Sequence, residues 1–195
     1  MKKLSLFNNI LIITFIGIDL FYTFKEFNTN KLSYILIGLS FILIILLPKI
    51  IRNVFKVNFS SILELVSIVF IILAQFFGSI LHFYDKIYWY DSFTHFLSGL
   101  LTAIFALVII SGFKQNKNVL FNALFIISFS MLVASFWEMF EFISNMIFHS
   151  DPQKVLNTGV NDTMKDIVCA FCGSLLFIIM YLYDKNNKMI KSIVK

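Results

Sequence analysis

Charge is what this chain has least of. Only 14% of its 195 residues are Asp, Glu, Lys or Arg while 59% are hydrophobic, too few to cover a water-soluble body of this size. Two prolines and seven glycines leave no linker-like stretch, and no polar segment is long enough for a soluble domain, so a single domain is expected over residues 1–195. The two cysteines, Cys169 and Cys172, form a C-x-x-C. Inside an apolar helical run they fall on adjacent faces, without the strand and helix N-terminus that activate a thiolate, so they read as small packing residues and not as a redox pair. The first apolar run lacks a small-x-small cleavage site and contains Asp19. It is therefore expected to be a membrane helix and not a signal peptide.

What is present is a series of apolar runs close to the roughly 20 residues that cross a bilayer. Their limits predict an all-α integral membrane bundle of about six transmembrane helices, over residues 7–24, 32–47, 62–83, 92–110, 119–148 and 163–183. Lys and Arg are distributed unevenly over the connections. Eleven fall at the two ends of the chain and in the second and fourth connections, against five in the others. Basic residues stay on the cytoplasmic side, so both N- and C-termini are expected there, in a bacterial plasma membrane. The formal charge of +5 then reflects topology and attraction to anionic membrane lipids, and not nucleic-acid binding.

The few ionisable residues gather at the ends of the apolar runs. Residues three or four apart share a helix face. On that spacing Gln75, Gly78, His82 and Asp85 form one stripe, Asp91, His95, Ser98 and Thr102 a second, Glu138, Glu141 and Asn145 a third, and Asp162, Asp166, Cys169 and Gly173 a fourth. Lipid does not tolerate such stripes, because a charge near the bilayer centre costs about 2.5–3.5 kcal/mol on insertion scales. They are expected to face one another at the outer side, with His82 and His95 at similar depth on a helical hairpin. The connection holding His149, Asp151, Pro152, Lys154 and Gly159 would act as a lid over them. Tyr84, Tyr88, Trp89 and Tyr90 suit an outer aromatic belt. Asp19 is expected to hydrogen-bond between helices, and Glu64 to occupy an interfacial helix start.

Carboxylates in such excess require cations or protons. A divalent metal such as zinc, manganese or iron would be held by His82, Asp91, His95, Asp162 and Asp166. With such a metal, Glu138 or Glu141 would be the general base of a hydrolase or transferase acting on lipid-linked or envelope substrates. A proton- or cation-coupled transporter would load the same groups, although AIFALVII and LLFIIMYLY leave the inner halves apolar. A structural role, in which the cluster fixes helix packing or docks a partner, stands beside both. Asp91, His95 and Ser98 project from one helix in the same direction and do not make a catalytic triad.

Three segments also carry a family resemblance: HFYDKIYWYDSFTHFLSG from His82, WEMFEF from Trp137 and NDTMKDIVCAFCG from Asn161. Together they resemble the YjdF-type family of bacterial multi-pass membrane proteins. Asp91, His95 and Gly99 fit its first element, Trp137, Glu138 and Glu141 its second, and Asp162, Thr163, Asp166 and Gly173 its third. A looser similarity is to VanZ-like membrane proteins, but Ala170 stands where their last-helix pattern has Asn. The YjdF-type resemblance implies a membrane topology and a motif, and carries no reaction with it.

Overall fold

A bilayer leaves backbone groups no water to bond, so apolar runs of this length become helices. The computed structural model describes residues 2–27, 32–55, 60–112, 118–148 and 151–184, and no strand occurs among them. Six helices are long and apolar enough to span a membrane, so the chain is an all-helical multi-pass membrane protein. They group into two compact units that divide between Tyr90 and Asp91.

The first unit contains α1 (Lys2–Phe27), α2 (Leu32–Phe55) and α3 (Ser61–Ile71), followed by a π-helical segment, Ile72–Ile80, and the short α4 (Phe83–Lys86). The spacing predicts an end to the second helix at Leu47, before Pro48, but α2 continues through the proline to Phe55. Proline forfeits one ladder bond, whereas stopping there would leave a whole turn of carbonyls unsatisfied in apolar surroundings. Phe76 is the hub of the core, with edge contacts to Phe15, Tyr22 and Phe77. Ile12, Phe41, Ile45, Ile68 and Ile72 are buried in the same cluster.

Polar groups in this unit are mostly paired across helices. Asn8 Nδ2 donates to the Ser61 carbonyl at 2.9 Å, and Lys49 donates to Asn9. Glu64 lies in the first turn of α3, below a Ser60 cap, as expected, and is buried there, with Arg52 Nη1 3.0 Å from its Oε2. Asp19 is fully buried, yet neither carboxylate oxygen has a hydrogen-bond partner among the described residues. The interhelix bond expected for it is not formed. A Cβ built on Gly38 would lie 2.1 Å from Thr23 Oγ1 and 3.3 Å from Asp19 Oδ1, so α1 and α2 close on these side chains only because residue 38 is glycine.

The third helix was expected to be regular to Phe83, but it widens into the π segment. Within that segment the Tyr90 hydroxyl donates to the Leu73 carbonyl at 2.9 Å, and a group inserted at the ladder is one of the known causes of such irregularity. The Tyr84 ring lies against Gly78, where a Cβ would be 2.3 Å from Cε2. Of the four expected belt aromatics, Tyr88 and Trp89 are exposed, whereas Tyr90 is buried.

The second unit is built from α5 (Tyr90–Gly112), α6 (Val119–Phe148), α7 (Val155–Thr158) and α8 (Asn161–Tyr183). On α6 every fourth residue is buried, from Asn122 through Ile126, Ser130 and Ala134 to Glu138, so one stripe faces inward. The backbones of α5 and α8 nearly touch. A Cβ on Gly99 would lie 1.9 Å from the Ala170 carbonyl oxygen, and one on Gly173 would lie 2.0 Å from that of Phe96. Small residues bring membrane helices together in this way.

Candidate functional site

The α5–α8 approach sets the geometry of the acidic cluster. Asp91 and His95 lie one turn apart at the start of α5, and Asp162 and Asp166 one turn apart at the start of α8. His95 Nε2 is 3.6 Å from Asp91 Oδ1 and 3.9 Å from Asp166 Oδ2. One ligand atom from each of these three buried residues lies within 4.8 Å of the other two. Two carboxylate oxygens and an imidazole nitrogen are a donor set that manganese, iron and zinc accept. Ligands about 2.1 Å from one ion stand about 3–3.5 Å apart, so the two His95 contacts are within a few tenths of an ångström of that spacing, while the Asp91 and Asp166 oxygens, within 4.8 Å of each other, would close by up to about 1.3 Å.

The connection between α6 and α8 supplies two further side chains. Asp151 accepts from the backbone N–H of Val155 at 2.8 Å and of Leu156 at 3.1 Å, which closes the turn on itself. Gln153 is buried and donates to the Glu138 carbonyl at 3.0 Å and to Glu138 Oε2 at 3.2 Å. Lys154 adopts the left-handed region, with φ 53°, a conformation that costs a non-glycine residue about 1 kcal/mol. Its Nζ lies 2.7 Å from Asp91 Oδ2 and 3.6 Å from Asp162 Oδ2. Burial opposes charge on Lys154, but the Asp91 hydrogen bond and the neighbouring carboxylates outweigh it and hold the ammonium pKa above the ordinary 10.5.

Lys165 reaches Asp162 Oδ1 at 2.8 Å. Among the described residues the buried cluster thus sets four carboxylates, Asp91, Glu138, Asp162 and Asp166, against two lysines, Lys154 and Lys165. With all of them ionised, two negative charges are left over, the charge that one divalent cation carries. Polar capacity is left over as well, since Glu138 Oε1 and Asp166 Oδ1 are buried and have no hydrogen-bond partner among the described residues. Buried oxygens in this state are costly unless something else satisfies them.

Glu141 accepts from Trp137 Nε1 at 2.8 Å, in an exposed bond. His82 belongs to the first unit, where it has left-handed φ 60° and lies 3.4 Å from Asp85 Oδ2. It borders a cavity of about 210 Å³ together with Tyr22, Thr23 and Lys86. His149 lies outside the described residues. Cys169 is half-buried and Cys172 exposed, both as free thiols.

Sequence reasoning gave no site role to Gln153 or Lys154. The only available signal was that a polar, turn-rich connection joins two helices bearing acidic stripes. Which of its side chains turn inward depends on the conformation at Lys154, and periodicity does not report it.

A family model described as "Predicted membrane protein (DUF2238)" matches residues 7–187, and the chain belongs to that family. No curated protein and no solved structure matches the chain.

Proposed function

We propose that this member of the DUF2238 membrane-protein family binds a divalent cation through Asp91, His95 and Asp166. One observation carries the reading. An imidazole nitrogen and two carboxylate oxygens converge within 4.8 Å of one another, in a buried cluster whose four carboxylates, when all ionised, exceed its two lysines by two charges. Asp162 completes the acidic surroundings and is held by Lys165 and Lys154. The excess of lysines and arginines in alternate connections supports cytoplasmic termini in a bacterial plasma membrane, with the site toward the outer face. The elements D-x-x-x-H, W-E-x-x-E and D-T-x-x-D support a YjdF-type member within the family.

A metal in this position would supply Lewis acidity and an activated water. Glu138, buried and with one oxygen unpartnered among the described residues, is the better placed of the two candidate bases, because Glu141 lies in an exposed bond with Trp137. A hydrolase or transferase acting on lipid-linked or envelope substrates follows from that pairing. Metal analysis of detergent-purified protein tests the premise. Near-stoichiometric manganese, zinc or iron is expected in the wild type, and its loss in a folded His95→Ala, Asp166→Asn double variant. A wild type without metal, both after chelator-free purification and after attempted reloading, overturns the reading.

Cation-coupled transport is the second reading, and polar steps beyond the cluster favour it. Thr102 Oγ1 donates to Ser130 Oγ at 3.1 Å, and Asn122 Nδ2 donates to the Tyr181 hydroxyl at 2.9 Å. Buried Ile126 stands between Ser130 and Asn122 on α6, and buried Phe177 between Ser174 and Tyr181 on α8. That apolar interruption ranks transport second. Cation flux in proteoliposomes, abolished by Asp166→Asn, would reverse the order.

A further inference from the structure

We infer that Lys154 is the residue that determines which ionic charge the acidic site accepts, an inference that rests on the cation-binding reading above. Its ammonium lies on Asp91 Oδ2, while Asp91 Oδ1 faces His95 Nε2. A single carboxylate therefore carries both the tethered cation and one of the candidate ligand atoms.

The placement is built into the connection. Lys154 takes a left-handed backbone that lysine rarely adopts, inside the turn that Asp151 closes onto Val155 and Leu156 and directly after Gln153, whose amide bonds Glu138. A solvated surface lysine has no need of such a backbone. Glu138 and Asp166, residues only 5% and 2% exposed, each keep a buried oxygen with no partner among the described residues, and with all four carboxylates ionised Lys154 and Lys165 leave the cluster short of positive charge. With both lysines present the deficit is two charges. Without Lys154 it is three, and Asp91 Oδ2 is released.

Coulomb attraction scales with the charge of the bound ion. Removing one positive charge beside the site therefore raises the affinity of a trivalent ion by half as much again, on a logarithmic scale, as that of a divalent ion. A Lys154 that only braces the connection would weaken both ions alike when replaced.

The test is titration of the detergent-purified full chain with Mn2+ and, separately, with Tb3+ followed by its luminescence, for the wild type, Lys154→Met and Lys154→Arg. Where Lys154→Met tightens Mn2+ about tenfold, it is expected to tighten Tb3+ about thirtyfold, while Lys154→Arg retains the wild-type preference. Lys154→Gln, which leaves a hydrogen-bonding group on the connection, stands in should the methionine variant not fold. A wild type that binds neither ion overturns the cation reading itself. A wild type that binds Mn2+, with neutral variants that bind both ions no more tightly, overturns the role of Lys154 and leaves the site standing.

Discussion

Lys154 Nζ and Asp91 Oδ2 are 2.7 Å apart across 63 positions of sequence. This contact ties the connection between the last two spanning helices to the first turn of α5. Because Asp91 also faces His95, the state of the connection and the state of the candidate site are coupled.

Asp91→Asn is expected to lower Mn2+ affinity by at least tenfold, since it removes a charged ligand and leaves Lys154 without its closest partner. Loss of a charge-assisted hydrogen bond of this kind also costs about 1.5–3 kcal/mol. Isothermal titration and thermal unfolding in detergent read the two effects separately. Unchanged values for both would show that the contact is incidental.

Above neutral pH, the Lys154 pair should hold until strong alkali. Its pKa in the folded protein is raised above 10.5, so the stability it contributes is fully present below that value and is lost as pH rises through the higher folded value. The stability difference between wild type and Lys154→Met should stay flat from neutral pH up to about 10.5 and shrink above it. A difference that already declined toward neutral pH would contradict the assignment.

Gly173→Ala and Gly99→Ala are expected to destabilise the second unit by about 1–3 kcal/mol each, because the new methyl group meets a backbone carbonyl that cannot move aside. Gly112→Ala meets nothing within 4 Å and is the matched control. Unfolding by SDS titration compares the three. Metal binding should fall with the two inner glycines, since they set the α5–α8 distance on which His95 and Asp166 depend.

The buried pair in the first unit should respond asymmetrically. Arg52→Ala leaves the Glu64 carboxylate buried and uncompensated, at an expected cost of about 2 kcal/mol after allowing for the one-third exposure of Arg52. Glu64→Gln releases a half-solvated guanidinium and should cost less. Equal losses in urea unfolding would mean that the pair is no more than a surface contact.

The spans were legible because hydropathy is a local quantity. A run such as Val119–Phe148 must be helical in lipid whatever its neighbours are. The acidic stripes were legible for a similar reason, since Asp91 and His95, or Asp162 and Asp166, share a face by helical period alone. The π segment was not, because it involves Tyr90, ten residues beyond the end of that segment, bonding the Leu73 carbonyl. Nor was the burial of Glu64, which depends on Arg52 reaching it from another helix. The expected interhelix bond of Asp19 is absent among the described residues, although α1 and α2 close beside it at Gly38.

Composition and periodicity by themselves determined that the chain is a helical membrane protein and that its scarce charges lie in stripes at helix ends, because both follow from the cost of placing charge and bare backbone in lipid. Tertiary structure alone decided that ligand atoms of Asp91, His95 and Asp166 meet within 4.8 Å of one another and that Lys154 joins Asp91. Those contacts require the α5 and α8 backbones to close at Gly99 and Gly173, and the connection to turn at Lys154. Both are long-range packing events, and no local pattern encodes them.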